Sequence, residues 1–265
     1  MGNENPSSKT NPTKKLHSDS NFILEIHTKK GGTSRLGSFD ELSKKAKNSI
    51  CKIEVGGDYG TGFFTKIPDP NDEDKKLRVL FSCNHILNKE KLEQLNEISI
   101  VINHQKINLN LDKRKIWANP YFNYDYICIE IFKNDGFKYF LNIDENIIEH
   151  NYSIQEYQKE DNLGIYVFGV EEDSEIGFDN GIVTGVENHM LLKYNCNTNP
   201  GWSGGVVINN NTNSIIAIHK GGDNEEKCNY GIFIKVIIEN IKETNYFKIK
   251  PKNSFIIIEN ILGSF

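Results

Sequence analysis

The stretch Asn199-Pro200-Gly201-Trp202-Ser203-Gly204-Gly205-Val206-Val207-Ile208-Asn209 sets one serine between glycines just ahead of an apolar run. Two readings compete for it. One is a glycine turn leading into a strand; the other is a loop that presents Ser203 as a nucleophile. A serine nucleophile needs a base to take its proton, a group that orients the base, and backbone N–H groups aimed at the developing oxyanion. The sequence offers each kind of residue at the end of a strand-like run. His85 closes "RVLFSCNHIL" (78–87), and Asp125 opens "DYICIEI" (125–131). Gly201 lets the backbone turn so that its own N–H and that of Ser203 point the same way, and Gly204 and Gly205 leave room for a substrate backbone. Asp112 and Asp135 are weaker candidates for the orienting carboxylate.

The segments around this stretch have one character. From about Ile50 onward the apolar runs are short, β-branched or aromatic, and broken by Gly, Asn, Asp and Pro: "ICKIEV" (50–55), "GTGFFTKI" (60–67), "EISIVIN" (97–103), "GIYVFGV" (164–170), "GIVTGV" (181–186), "HMLLKYN" (189–195), "IIAIHKGG" (215–222) and "YGIFIKV" (230–236). Many short strands at close spacing predict an all-β, antiparallel barrel or sandwich rather than βαβ units. Helical spacing is confined to "NKEKLEQLNE" (88–97) and "KVIIENIKET" (235–244), the second a C-terminal helix, and Ser38 with Glu41 predicts a capped helix in "SFDELSKKAKNSI". "NFILEIHTKK" (21–30) reads as a short strand, and the stretch after residue 250 as an extra strand and tail. The expected organisation is a polar tail over 1–20, an extension over 21–49, a main unit over 50–245 whose halves meet near 135–160, and a C-terminal extension over 246–265.

Composition narrows the function classes. The chain has 265 residues, 37% hydrophobic and 25% charged, with a formal net charge of -5 and charges interspersed along it. Such a balance gives no electrostatic reason to expect nucleic acid. No apolar run reaches bilayer length, and "MGNENPSSKTNPTKK" lacks the apolar core of a secretory signal, so the expected compartment is cytoplasmic. Pro6 stands where the myristoylation pattern wants Ser or Thr, which weighs against acylation of Gly2. The five cysteines, Cys51, Cys83, Cys128, Cys196 and Cys228, are scattered without metal-ligand spacing and read as free thiols. His27, His104, His150 and His189 show no partner pattern, and Trp117 with its aromatic neighbours reads as packing.

Taken in order, "GTGFFTKI", "SCNHIL", "DYICIEI", "GWSGGVVIN" and "IIAIHKGG" resemble the trypsin-like (chymotrypsin-fold, PA-clan) serine peptidases over about 50–240, closest in pattern to glutamyl endopeptidases. The resemblance implies two six-stranded antiparallel barrels with a catalytic triad between them. It implies His85 as general base and acid, Asp125 as its support, Ser203 as nucleophile, and Gly201 and Ser203 as oxyanion-hole donors. Trp202 stands where the digestive branch has the aspartate that pairs with a new N-terminus, so activation by that route is not expected. Thr198 and His219 match the positions where glutamyl endopeptidases and picornavirus-type proteases bind the side chain before the scissile bond, which implies cleavage after Glu or Gln. Asn197 is expected near the base of that pocket, with Gly221 and Gly222 along the substrate. No metal or organic cofactor is implied, the partners are protein or peptide substrates, and a monomer is the default. An inactive homologue or adaptor that binds peptides uncut, and an esterase using the same acyl chemistry, are the alternatives.

Overall fold

A computed structural model describes residues 36–121, 124–159, 163–223 and 225–249. It opens with helix α1 (Leu36–Lys47), then strands β1 (Ile50–Val55), β2 (Asp58–Asp69) and β3 (Asp72–Cys83), helix α2 (Lys89–Gln94), and strands β4 (Glu97–Ile102), β5 (Gln105–Asn110), β6 (Ile116–Asn119) and β7 (Tyr126–Glu130). Short helices α3 (Glu145–Ile148) and α4 (Ile154–Lys159) cross to the second half. That half holds β8 (Gly164–Val170), β9 (Ile176–Glu187), β10 (Leu191–Asn195), β11 (Val206–Asn209), β12 (Ser214–Asp223), β13 (Cys228–Phe233) and the closing helix α5 (Ile234–Glu243).

The first half is a seven-stranded antiparallel sheet in the order β5-β4-β1-β2-β3-β7-β6, and the second is a closed six-stranded barrel in the order β10-β13-β12-β11-β8-β9. The mostly-β, chymotrypsin-like architecture expected from the sequence is present, with seven strands in the first unit instead of six. The two strands of this sheet not read from the sequence are β5 and β6. "QKINLN" has only two apolar residues and "IWAN" only four residues, so neither reads as a strand by itself. At the β6 edge, Ile116 exchanges both backbone hydrogen bonds with Phe247 (3.0 and 2.9 Å), so the chain's C-terminal segment covers that edge.

Alternation along the strands builds two cores. Phe63, Phe81, Cys83 and Cys128 lie on one face and join a core continuous with Val167, Val206, Ile216 and Ile232 of the barrel. Their neighbours Phe64, Leu80, Ile127 and Ile129 point to the other face and form a separate core with Ile53 and Ile98. The two halves therefore share apolar packing, and burial of that shared face holds their relative positions.

Helix α5 packs through Ile234, Ile237, Ile238 and Ile241, all buried, at the three- and four-residue spacing read from the sequence. Helix α1 begins at Leu36, which puts Ser38 in its first turn rather than at its cap; Phe39 instead packs edge-on to Tyr166 of the barrel, ring centroids 5.2 Å apart. The strand expected over 21–30 and the strand and tail expected after residue 250 lie outside the described residues. Helices α3 and α4 had no sequence signal, being one turn and a turn and a half of mixed polar and apolar residues.

Candidate active site

Strand register creates the first part of the site. β3 pairs antiparallel with β7, with Cys83 opposite Tyr126. Extending that register by one residue sets Asn84 against Asp125, and the Asn84 N–H donates to the Asp125 carbonyl at 3.1 Å. His85, next in the turn after β3, then meets the Asp125 side chain. Its ring Nδ1 lies 2.7 Å from Asp125 Oδ2, and its backbone N–H donates to Oδ1 at 3.0 Å. Asp125 is 6% exposed and has a φ of 29°, an unusual conformation for a residue with a Cβ, held here because both carboxylate oxygens and the backbone carbonyl are occupied. The His85 ring remains 45% exposed on the cleft side. The carboxylate fixes Nδ1 as the protonated nitrogen and leaves Nε2 as a base, the arrangement a proton-shuttling histidine requires.

The other two aspartates considered from the sequence are elsewhere. Asp135 takes a bidentate pair from Arg114 (2.7 and 2.8 Å), and Asp112 is a surface residue beside Lys113.

Ser203 comes from the loop between β10 and β11. Its Oγ donates to the carbonyl of Lys220 at 3.1 Å, and no hydrogen bond joins it to His85. Lys220 is the bulged residue of β12, since the β12–β13 register shifts between His219 and Gly221, and the bulge turns its carbonyl out of the ladder. Around Ser203 the loop's carbonyls are taken in turn. Asn199 O accepts from Trp202 N at 3.2 Å, Trp202 O from Gly205 N at 2.8 Å, and Ser203 O from Thr61 N at 2.9 Å. Pro200 O accepts from the Tyr59 hydroxyl at 3.4 Å and Gly201 O from the Thr61 hydroxyl at 2.8 Å. The backbone N–H groups of Gly201 and Ser203 have no partner among the described residues. Two unpaired donors beside a serine hydroxyl are what a tetrahedral oxyanion needs.

Glycine is required at two points of this loop. Gly201 has φ 92° and a Cβ there would come within 2.2 Å of the Tyr59 ring; Gly204 has φ 85° and a Cβ would meet Thr61 O at 2.2 Å. Both combine a left-handed backbone with no space. Between them Trp202 is 2% exposed and donates its indole N–H to Glu171 Oε1 at 3.0 Å, which also accepts from Asn199 Nδ2 at 2.9 Å. The tryptophan thus fastens the loop to the end of β8, filling space that Gly169 and Gly177 leave open.

The third part lies inside the barrel. His219 is 2% exposed, and its Nδ1 lies 2.6 Å from the Tyr194 hydroxyl, which also lies 3.2 Å from Tyr230 O. Burial, with a smaller contribution from positive charge on His85, pushes the His219 pKa down to about 3, so its imidazole is neutral. Burial also holds the Tyr194 phenol protonated well above its ordinary range. The Tyr194 hydroxyl is thus shared between the Tyr230 carbonyl, which can only accept, and His219 Nδ1, whose role follows the ring tautomer. Thr198 donates from Oγ1 to Asn229 Oδ1 at 2.9 Å. Asn229 Nδ2 in turn donates to Cys196 O at 2.7 Å, which fixes the orientation of the amide. Gly222 sits opposite Asn229 in the β12–β13 ladder. Asn197, expected near the pocket base, is exposed, with its backbone and side-chain nitrogens both on Asp179 Oδ2 (2.6 and 3.2 Å), and has no hydrogen bond to Thr198, Tyr194 or His219.

Cys83 Sγ, the His85 ring and Asp125 form the one set of metal-ligating side chains gathered among the described residues, within 4.8 Å of one another. The thiol is buried, its pKa raised well above normal chiefly by burial, and it donates to His219 O at 3.4 Å, while the imidazole and carboxylate already satisfy each other. The set is that of a hydrogen-bonded dyad resting on an apolar sulfur. Cys51, Cys83 and Cys128 are free and buried, as expected from their apolar neighbours.

Tyr59, Thr61, Tyr194, Asn229 and Glu171 were not singled out in the sequence. Only Thr61, between two glycines in "GTGFF", carries a local hint of close backbone approach; the others act through partners distant in sequence.

With this geometry in view, comparisons with known proteins define the fold. Among solved structures, the chain is similar to the serine endoprotease from Yersinia pestis (TM-score 0.55, 12% identity, covering 81% of this chain and 67% of that one). It is also similar to Deg5 (TM-score 0.53, 16% identity, 77% and 91%) and to the inactive form of the Rv3671c protease (TM-score 0.53, 9% identity, 80% and 97%). No model of a known protein family matches the sequence, and no curated protein is similar to it. The chain has the fold of the chymotrypsin-like serine proteases. Among the described residues, no helix is long and apolar enough to cross a membrane.

Proposed function

We propose that the protein is a serine endopeptidase that cuts peptide bonds through Ser203, His85 and Asp125, with a preference for Gln, and then Glu, before the scissile bond. The observation that carries the reading is the presence of two separately formed parts: the His85–Asp125 pair, and the loop that holds both the Ser203 hydroxyl and the two unpaired N–H groups of Gly201 and Ser203. In this mechanism Ser203 exchanges its bond to the Lys220 carbonyl for one to His85 Nε2. Its oxygen then attacks the scissile carbonyl while His85 takes the proton. The carbonyl oxygen, now an anion, lies against the Gly201 and Ser203 N–H groups. His85 returns its proton to the leaving amine, and a water activated by the same imidazole hydrolyses the acyl-enzyme. Asp125 keeps its hydrogen bond to Nδ1 and stabilises the imidazolium.

The pocket reading comes from donor and acceptor directions. In this reading Tyr194 donates to Nδ1, so that His219 Nε2–H offers a neutral donor suited to the carbonyl oxygen of a carboxamide. The Thr198 hydroxyl has given its proton to Asn229, so toward a ligand it can only accept. A glutamine side chain supplies one acceptor and one donor and satisfies both; a glutamate carboxylate satisfies His219 but faces a lone pair at Thr198. Sites built to exchange hydrogen bonds discriminate strongly against side chains that leave them unpaired.

The test is to incubate wild type and Ser203→Ala with a denatured protein mixture and map new termini by mass spectrometry. Ser203-dependent cuts after Gln and Glu are expected. Serine-dependent cuts after other residues would remove the pocket and keep the triad, and the absence of any serine-dependent cut would overturn the peptidase reading.

A further inference from the structure

We infer that Tyr59 and Thr61, both on β2 of the first unit, are the positioning residues that hold the oxyanion loop of the second unit in its working conformation. The inference rests on the peptidase reading above. It follows from which peptide planes must be oriented. The Gly201 N–H belongs to the plane that carries the Pro200 carbonyl, and that carbonyl is held by the Tyr59 hydroxyl at 3.4 Å. A flip of this plane would swing the Pro200 oxygen toward the anion's position and carry the Gly201 donor away. The Tyr59 ring also lies against Gly201 itself, where a Cβ would be 2.2 Å from it, so the ring supports the loop from beneath.

Thr61 holds the two planes that flank the one carrying the Ser203 N–H, whose own carbonyl, Trp202 O, accepts from Gly205 N at 2.8 Å. Its backbone N–H binds Ser203 O at 2.9 Å, and its hydroxyl donates to Gly201 O at 2.8 Å. That hydroxyl also accepts from the N–H of Val170, the last residue of β8, at 2.9 Å. Thr61 O accepts in turn from the Ser82 hydroxyl at 2.7 Å, on β3 three residues before His85. Thr61 is fully buried, so each of these bonds is made without competition from water. Through one residue, the strand that precedes the His85 turn, the end of β8 and the serine loop are fixed in a single frame. β2 contributes no group that touches a substrate atom in this account; it sets the direction of the donors that do.

The experiment measures kcat and KM on a Gln-containing peptide, with the inhibition constant of a peptide aldehyde whose tetrahedral adduct places an oxyanion in the hole. Variants are Thr61→Val, Thr61→Ser and Tyr59→Phe, each with its melting temperature. Thr61→Val is expected to lower kcat by about 30-fold and weaken the aldehyde by a similar factor, with KM within about twofold, because a misdirected donor acts only on the transition state. Thr61→Ser keeps the hydroxyl and should recover most of both. Tyr59→Phe removes one longer bond and should cost about fivefold in kcat. If Thr61→Val does not fold, Thr61→Ser and Tyr59→Phe carry the test. A folded Thr61→Val with unchanged kcat, a Thr61→Ser as impaired as Thr61→Val, or a Tyr59→Phe indistinguishable from wild type would overturn the inference. A wild type lacking Ser203-dependent turnover would remove the peptidase reading, and this one with it, whereas an active wild type with active variants removes this one alone.

Discussion

Each half of the molecule supplies one histidine to the proposed mechanism, and the two halves treat it in opposite ways. The seven-stranded sheet leaves His85 nearly half exposed and pairs it with a buried carboxylate at 2.7 Å. The closed barrel buries His219 and pairs it with a phenol at 2.6 Å. A carboxylate partner supports a positive imidazole, which suits His85 to the proton transfers of the proposed mechanism. A phenol in a dry barrel leaves the imidazole neutral, so His219 keeps one proton in one place and can serve as a fixed donor. In the proposed mechanism proton traffic and side-chain recognition fall to separate units. Burial decides which histidine does which.

Substitutions at the two histidines separate these roles. His85→Ala should lower kcat/KM by at least about 10⁴-fold for every substrate, because the base is lost whatever the pocket holds. His219→Gln should lower kcat/KM for a Gln-containing peptide by about 100-fold while leaving the reaction of Ser203 with a small fluorophosphonate within about threefold. Equal effects of His219→Gln on both reagents would erase the division of labour.

The same contrast has a signature in stability. The unfolded chain protonates His219 near its ordinary value of 6.5, whereas the folded chain resists until about pH 3. Between those values the unfolded state binds more protons, so stability falls as pH drops, by up to about 1.4 kcal/mol per pH unit from this group. Denaturant unfolding at pH 7 and pH 4.5 should therefore show wild type losing more stability than His219→Gln over that interval. Parallel losses would mean that His219 is protonated in the folded protein. The smallest effect is expected at Thr198. Thr198→Val removes the acceptor and should shift the Gln-to-Glu ratio of kcat/KM by about tenfold toward Glu, read from matched peptides.

How far these features could be read beforehand follows from how local they are. His85, Asp125 and Ser203 stand at strand ends or in a glycine loop, where residue type and neighbours reveal a special position. The alternating strands of both units were legible for the same reason, and the isoleucine spacing of α5 likewise. Tyr194 was not, because a tyrosine inside "LLKYN" looks like core, and only the barrel's closure brings it to His219. Thr61 and Tyr59 depend on β2 crossing beneath the serine loop about 140 positions later in the chain. Asn197 shows the converse: the resemblance implies a position near the pocket base, but Asp179 of β9 holds its backbone and side-chain nitrogens at an exposed site.

The most direct test of the account compares the rate at which a fluorophosphonate modifies Ser203 in wild type and in Asp125→Asn. Asparagine would present an amide N–H or a weaker acceptor to Nδ1, favouring the tautomer that cannot accept the serine proton, while filling the same space. The account predicts rapid wild-type labelling and a fall of about 10³- to 10⁴-fold in the variant, with an unchanged melting profile. Equal labelling of a folded Asp125→Asn would contradict the claim that the first unit's His85–Asp125 pair activates the second unit's serine.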